Sequence, residues 1–86
     1  MKYFVYILQS LHDNRFYIGF TTNIENRLNY HNAGKQRSTK SRIPFELIYT
    51  EEFDSKKSAL KREKQIKSYK GGEAFKKLIT KERESR

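Results

Sequence analysis

A run of six apolar residues, at positions 3–8, stands near the start of this 86-residue chain and is longer than any other apolar run in it. Aromatic and β-branched side chains fall on both faces of this run, which is typical of a central strand covered on both sides. A chain this short buries only about two-thirds of its unfolded surface, so every element must share one core. The sequence therefore predicts one domain built around a small sheet.

Composition narrows the class of protein. Hydrophobic residues make up only 35% of the chain, but six Tyr and six Phe supply large side chains for a core. There is no Cys, which rules out a disulfide framework or a thiolate metal site and favours a reducing compartment. The apolar run is far shorter than the roughly 20 residues that cross a bilayer, and too short for a signal peptide. We expect a soluble, cytoplasmic protein that does not enter a membrane.

The remaining elements follow from periodicity and from capping residues. Thr22 followed by Glu25 forms a capping box for a first helix, and Gly34 suits the position just past its end. Asp54 and Ser55 can both cap a second helix. The predicted strands are residues 3–9, 15–20 and 45–53, and the predicted helices are residues 23–33, 56–69 and a short helix after residue 72.

This order, ββαβαα, predicts an α+β fold with a small, three-stranded, mainly antiparallel sheet flanked by helices. The domain is expected to span residues 1–80, with residues 81–86 as a charged C-terminal tail.

Net charge gives the first indication of function. Nineteen Lys and Arg against ten Asp and Glu leave a charge of +9, as nucleic-acid-binding proteins often have. Ribosome-associated and membrane-surface proteins share this property. The cations are clustered: Lys35, Arg37, Lys40 and Arg42 lie in one predicted loop, and many lysines crowd the second predicted helix.

One acidic residue is out of place in that helix. Glu63 lies three or four residues from Ala59 and Ile66, so it falls on or beside the apolar stripe, where a carboxylate is costly unless it is paired. It is explained either by a salt bridge to a basic neighbour or to Arg27, or by a divalent cation. Mg²⁺ commonly takes only one or two protein carboxylates, so one Glu would suffice.

The predicted hairpin places two phenols together. If Gln9 faces Asn14 across the turn, Tyr6 lies opposite Tyr17, with Gly19 on the same face. Ordinary cross-strand packing with a glycine bend explains this arrangement. A glycine in a strand also permits close approach by a ligand backbone.

In the first helix, Arg27 and His31 are four residues apart and therefore share one face. They are either a solvated basic pair or a pair that points toward the sheet.

Taken in order, these segments resemble the GIY-YIG nuclease superfamily, in particular small standalone members related to the N-terminal nuclease domain of the bacterial excision-repair incision subunit. The resemblance spans residues 2–80. The matching segments are Val5-Tyr6, then Tyr17-Ile18-Gly19 through Asn23, Arg27, the run from His31 to Lys35, and Ala59-Leu60-Lys61-Arg62-Glu63 with Ile66-Lys67.

The resemblance implies a role for each matched residue. Tyr17 would be the general base that activates water, or its relay, and Tyr6 would support it by hydrogen bonding. Arg27 would stabilise charge on the phosphoryl oxygens, and His31 would lie near the scissile phosphate. Glu63 would hold a single Mg²⁺ or Mn²⁺. Because a free tyrosine has a pKa near 10, phenolate at neutral pH would need help from Arg27 and the metal.

The resemblance also implies a metal-dependent endonuclease that hydrolyses nucleic acid, DNA more than RNA, in repair or recombination. No attached DNA-binding domain is visible in the sequence, so we expect a protein that either cleaves weakly, or prefers branched or single-stranded substrates, or requires a protein partner for target specificity. The residues predicted to contact nucleic acid are Gly19, Lys35, Arg37, Lys40, Arg42 and Lys67.

Two departures from the family pattern stand out. The first motif reads Phe4-Val5-Tyr6 where the family name expects Gly-Ile-Tyr. Position 20 is Phe where the excision-repair nuclease has a lysine, so either another basic residue substitutes for it, with Lys40 as a candidate, or transition-state stabilisation is weaker.

Two other functions compete with the nuclease. A noncatalytic module of the same fold would bind nucleic acid through phosphate contacts alone. A basic protein acting on ribosomes or anionic membranes would leave Glu63 and the tyrosine pair unexplained.

Overall fold

The structure is a computed structural model that describes residues 1–84. Within this range the elements follow the predicted order ββαβαα, which confirms the α+β class. They are β1 (Tyr3–Ser10), β2 (Phe16–Thr21), α1 (Ile24–Asn32), a short 3-10 helix (Lys40–Arg42), β3 (Phe45–Phe53), α2 (Lys56–Ser68) and α3 (Glu73–Glu84).

The sheet of these residues has three strands in the order β2-β1-β3, and both pairings are antiparallel. The apolar run thus lies in the central strand, as predicted. Because side chains alternate along a strand, the two faces of β1 bury different residues. Val5 and Ile7 pack toward α2 and α3, whereas Tyr6 and Leu8 pack toward α1.

The β1–β2 register differs from the predicted one by two residues. Tyr6 lies opposite Gly19, and Tyr17 lies opposite Leu8. The two tyrosines are therefore diagonal neighbours and not cross-strand partners, which corrects the predicted pairing. A shift of two residues keeps every side chain on its original face, so both phenols still point toward α1.

The turn explains this difference. The Ser10 amide donates to the carbonyl of Arg15 at 2.8 Å, and the Asn14 amide donates to the Ser10 carbonyl at 2.9 Å. The Ser10 hydroxyl oxygen accepts from the amides of His12 and Asp13. Asn14 adopts a left-handed backbone with φ of 62°. The turn therefore takes in more residues than the predicted one, and Gln9 pairs with Phe16 instead of Asn14.

Helix α1 is capped one residue later than predicted. The Asn23 side-chain oxygen accepts from the Asn26 amide at 3.0 Å, so Asn23 is the N-cap and the proposed capping box of Thr22 and Glu25 is wrong. The helix is followed by Gly34 with φ of +74°, as predicted.

Ser55, one of the two candidates, caps α2 by accepting from the Ser58 amide. The predicted apolar residues of α3 pack as expected: Phe75 is buried, and Leu78 and Ile79 lie against the same core. Helix α3 continues through Glu84, so part of the predicted tail at 81–86 is helical, and residues 85–86 lie outside the described residues.

Over the described part of the chain, no helix is both long and apolar enough to cross a membrane.

Candidate active site

The hairpin brings two tyrosines to the α1 face of the sheet. The rings of Tyr6 and Tyr17 have centroids 6.3 Å apart, and the Tyr17 ring lies 4.7 Å from the ring of His31. Tyr6 is 3% exposed, whereas Tyr17 is only partly buried. Of the two phenols, Tyr17 is therefore the one within reach of a substrate.

Gly19 makes this arrangement possible. A Cβ atom at position 19 would lie 2.6 Å from the Tyr6 hydroxyl oxygen and 3.2 Å from the Tyr17 ring. The space beside Gly19 is thus filled by Tyr6 and is not open to a ligand backbone. We therefore interpret Gly19 as the residue whose missing side chain leaves room for the Tyr6 ring, and not as a nucleic-acid contact.

Helix α1 adds Arg27 and His31, which share the helix face expected from their spacing. His31 points to the sheet and is 0% exposed. Arg27 is half-buried, and its guanidinium carbon lies 5.2 Å from the ring centroid of Tyr30. The resemblance implies that His31 lies near the scissile phosphate, and the structure buries its side chain against the two tyrosines.

The His31 ring is held by hydrogen bonds on both nitrogens. Its Nε2 lies 3.2 Å from the Tyr6 hydroxyl, and its Nδ1 lies 3.1 Å from the Thr39 hydroxyl. Burial, helped by the charge of Arg27, lowers the pKa of His31 below its ordinary value. The neutral imidazole therefore joins the hairpin, α1 and the loop that follows α1.

The electrostatics of Tyr6 connect both helices to the hairpin. Burial raises the pKa of the Tyr6 phenol well above its ordinary value. Tyr17 and Glu63 raise the pKa of Tyr6 further, and Arg27 lowers it. Tyr6 thus stays protonated, which agrees with a supporting role. Arg27 of α1 and Glu63 of α2 thus both affect the pKa of this phenol.

Glu63 lies where the stripe of α2 predicts it. The stripe residues Ala59 and Ile66 are fully buried, and the Glu63 side chain between them is 16% exposed. Its carboxylate lies 3.4 Å from the ammonium of Lys67, one turn further along the helix. The salt bridge to a basic neighbour, one of the two explanations from the sequence, is therefore present, and its partner is Lys67.

The donor atoms near Glu63 restrict which metal could bind. No group of three or more His, Cys, Asp or Glu side chains suited to a metal occurs among the described residues. Such a site does not match a structural Zn²⁺, which needs four protein ligands. It does match Mg²⁺ or Mn²⁺, because a hard ion can take one carboxylate oxygen and complete its shell with water and phosphate oxygens. A single ion at Glu63 therefore fits, with the Lys67 ammonium as its competitor.

A polar hollow of about 390 Å³ opens beside Arg27. It is lined by residues from the end of β2 and the first turns of α1: Thr21, Thr22, Asn23, Asn26, Arg27 and Tyr30. This hollow is large enough for a phosphate group, and its cationic side chain is Arg27. Tyr17 and Glu63 are not among the described residues that line it.

The predicted nucleic-acid contacts divide into two groups. Lys35, Arg37, Lys40 and Lys67 are exposed. The side chain of Arg42 is only 20% exposed, and its Nε lies 3.3 Å from a carboxylate oxygen of Asp13.

Arg42 is also engaged on other sides. Its Nη2 donates to the Phe16 carbonyl, and its guanidinium lies 5.6 Å from the Phe45 ring centroid. Arg42 therefore anchors the loop to the hairpin, and we interpret it as structural and not as a phosphate contact.

The structure shows the surroundings of two further residues, Phe20 and Thr39, which the sequence does not reveal. Phe20 packs on the core that faces α2 and α3, the side of the sheet opposite the tyrosines, so the departure at position 20 lies outside the tyrosine face. Thr39, which bonds His31, is 0% exposed. A threonine inside an aperiodic basic loop carries no signal of such a contact.

Comparison with known proteins agrees with this geometry. The family model of the GIY-YIG catalytic domain matches residues 2–78. The UPF0213 protein of Staphylococcus haemolyticus is 48% identical over 69 residues, which covers 79% of this chain and 83% of that protein. The UPF0213 protein of Natronomonas pharaonis is 48% identical over 67 residues, covering 77% of this chain and 78% of that protein.

A solved structure supports the same assignment. The solution NMR structure of a UPF0213 protein from Bacillus halodurans superimposes with a TM-score of 0.60 at 33% identity, covering 93% of this chain and 84% of that one. The resemblance seen in the two tyrosine motifs and in α2 is thus confirmed over nearly the whole chain. The chain belongs to the GIY-YIG family of nuclease domains, as a relative of its small UPF0213 members.

Proposed function

We propose that this protein is a divalent-metal-dependent endonuclease that hydrolyses phosphodiester bonds in nucleic acid, with DNA as the favoured substrate and repair or recombination as its setting. One observation carries the proposal: the hairpin and α1 bring the accessible phenol of Tyr17 to a ring-centroid distance of 6.3 Å from Tyr6 and 4.7 Å from His31, and the charges of Arg27 and Glu63 both affect the pKa of Tyr6. A cation, a carboxylate and a phenol are the groups that phosphodiester hydrolysis needs.

Each residue of the chain has a distinct task in this mechanism. Tyr17, the accessible phenol, acts as the general base or its relay: as phenolate it takes the proton from the attacking water, and as a relay it passes on its own proton while it accepts that of the water. Tyr6 remains protonated because burial raises its pKa, so it positions its neighbours and does not act as a base. Arg27 holds a phosphoryl oxygen and offsets the charge that develops on it.

Glu63 is the residue that would hold the metal. A single Mg²⁺ or Mn²⁺ there would supply Lewis-acid stabilisation of the phosphate and of the leaving oxygen. The Lys67 ammonium, 3.4 Å from one carboxylate oxygen, would compete with the ion for Glu63. We therefore expect the affinity for the metal to depend on Lys67.

The surface supports a polyanionic substrate. The chain carries a net charge of +9, and the exposed cations Lys35, Arg37 and Lys40 follow α1 directly. Such contacts position a phosphate backbone but do not read sequence. We propose that a protein partner supplies the choice of target.

The second candidate is a module of the same fold that binds nucleic acid without cutting it. The ion pair between Glu63 and Lys67 favours this candidate, because it satisfies the carboxylate without a metal. The two candidates share the basic surface, so their affinity for DNA should fall with salt in the same way. Only cleavage separates them.

The test is a cleavage assay on labelled single-stranded, duplex, flapped and junction DNA with Mn²⁺. The proposal predicts nicking that disappears in chelator and in Tyr17→Phe, while DNA affinity is retained. Tyr69→Phe is the matched control, since Tyr69 packs on the other side of the sheet and should leave cleavage unchanged. If the wild-type protein binds every substrate but cuts none, the noncatalytic candidate is correct.

A further inference from the structure

Three hydrogen bonds in series run from the hairpin into the basic loop, the segment after α1 that carries Lys35, Arg37, Lys40 and Arg42. The Tyr6 hydroxyl bonds His31 Nε2, and His31 Nδ1 bonds the Thr39 hydroxyl. The Thr39 hydroxyl in turn donates to the main-chain carbonyl of Gln36 at 3.4 Å. Tyr6, His31 and Thr39 are all buried, so water does not compete for the two bonds that His31 makes.

The last acceptor sets the direction of the whole series. A carbonyl oxygen can only accept, so the Thr39 hydroxyl donates to Gln36 and is left to accept from His31. His31 therefore carries its proton on Nδ1, and its Nε2 is free to accept from the Tyr6 hydroxyl. In the reverse direction the buried Tyr6 proton would lose His31 Nε2 as its acceptor.

Thr39 is itself firmly placed. Its amide donates to the Gln36 carbonyl at 3.1 Å, and its carbonyl accepts from the Arg42 amide at 2.9 Å. It precedes the 3-10 helix Lys40–Arg42, and the side chain of Arg42 anchors that helix on Asp13. The Thr39 hydroxyl is therefore held at His31 by a backbone whose amide and carbonyl are both hydrogen-bonded.

We propose that Thr39 is a positioning residue: its hydroxyl holds His31 in the tautomer protonated on Nδ1 and so makes the Tyr6 hydroxyl a donor to His31. The reason is that the tautomer of a neutral histidine is set by the bond that its other nitrogen makes. The catalytic consequence of this arrangement rests on the proposed nuclease function, whereas the tautomer itself does not.

The consequence concerns what Tyr6 presents to the reacting groups. With its proton directed at His31, the Tyr6 oxygen offers a lone pair, which can accept from the hydroxyl of the neighbouring Tyr17. In the reversed tautomer, the Tyr6 oxygen would accept from His31 and its own proton would point toward the site. Thr39 therefore decides whether this phenol is an acceptor or a donor there.

The tautomer can be measured directly by long-range ¹H–¹⁵N correlation on protein labelled with ¹⁵N-histidine at pH 8. We expect His31 to be protonated on Nδ1 in the wild type and in Thr39→Ser, which keeps the hydroxyl. In Thr39→Val the Nδ1 donor would be buried without a partner, so the proton should move to Nε2. The exposed His12 is an internal reference that should not change.

Two results overturn the proposal on the tautomer alone. One is a wild-type His31 protonated on Nε2, a measurement that needs no variant and holds even if Thr39→Val fails to fold. The other is a folded Thr39→Val protein in which His31 keeps the wild-type tautomer.

Cleavage tests the consequence separately. We expect kcat to fall about tenfold in Thr39→Val, to recover in Thr39→Ser, and the affinity for DNA to stay unchanged in both. A changed tautomer with unchanged kcat would refute the positioning role. A wild-type protein that does not cut any DNA would refute the proposed function but leave the tautomer result standing.

Discussion

Tyr6 and Gly19 face each other across the first two strands, and the phenol of Tyr6 occupies the space where any other residue at position 19 would place its Cβ atom. That Cβ atom would lie 2.6 Å from the phenol oxygen, which is too close for the two to coexist without movement. The hydroxyl that would be displaced is the one that bonds His31. Gly19, in the motif on β2, is therefore needed to accommodate Tyr6, in the motif on β1.

Gly19→Ala should consequently impair both stability and activity. Overpacking at a buried site costs about 1–3 kcal/mol of unfolding free energy, and displacement of Tyr6 should lower cleavage about 100-fold. Urea unfolding and a cleavage assay measure the two effects.

Gly71→Ala is the control for that variant. Gly71 has φ of +75°, and no atom lies within 4 Å of the place that a Cβ would take. Alanine there should cost about 1 kcal/mol from backbone strain but leave cleavage intact. Equal cleavage by the two alanine variants would contradict the assigned role of Gly19.

The basic loop should carry phosphate contacts through its exposed cations only. Replacing Lys35, Arg37 and Lys40 by alanine should weaken DNA binding with little change in stability. The slope of log K against log salt should become shallower by about 0.9 for each phosphate that is no longer neutralised. Fluorescence anisotropy at several salt concentrations measures this slope.

Arg42→Ala should behave in the opposite way. It removes the ion pair with Asp13 and the bond to the Phe16 carbonyl, so it should lower the unfolding free energy more than the triple variant does. A stable Arg42→Ala protein with a reduced salt slope would show that Arg42 contacts phosphate after all.

Stability should depend on pH through His31. Its pKa is lowered in the folded protein, so the unfolded chain binds the proton first as the pH falls below 6.5. The contribution of His31 to stability is therefore complete above pH 6.5 and is lost as the pH falls toward the folded pKa. Urea unfolding between pH 7.5 and pH 5 should show this loss in the wild type and in His12→Gln. His31→Phe should lack it, and an identical slope in His31→Phe would assign the loss to other groups.

Lys67 should compete with the metal. Removing its charge in Lys67→Gln frees the Glu63 carboxylate, so the Mn²⁺ concentration for half-maximal cleavage should fall by up to about fivefold, the size expected for a partly exposed ion pair. Lys64→Gln removes an exposed charge from the same helix and should leave that concentration unchanged. If both variants raise it equally, Lys67 acts through the phosphate backbone and not through Glu63.

The elements could be predicted from the sequence because each has its own local signal. The apolar run indicates a strand buried on both faces, and the stripe of α2 places Glu63 beside Ala59 and Ile66. The register of the hairpin could not be predicted, because it depends on how Ser10 and Asn14 close the turn.

The candidate site was predictable in part for a similar reason. Spacing places Arg27 and His31 on one face of α1, and both are near Tyr6 in the structure. The contact of His31 with Thr39 joins a helix to an aperiodic loop, and no periodicity records such a contact. The anchoring of Arg42 could not be predicted either, since the sequence of a basic loop does not distinguish an exposed arginine from a half-buried one.

The most direct test is a Mn²⁺ titration of DNA cleavage by the wild type, Glu63→Gln and Glu46→Gln. Glu46 is an exposed carboxylate on β3, opposite Gln9, and serves as the matched control. If Glu63 holds the ion, Glu63→Gln should lose cleavage by about 100-fold or more at every Mn²⁺ concentration, while it keeps its fold and its affinity for DNA, and Glu46→Gln should match the wild type. Cleavage by Glu63→Gln at the wild-type rate, with the same dependence on Mn²⁺, would contradict the account.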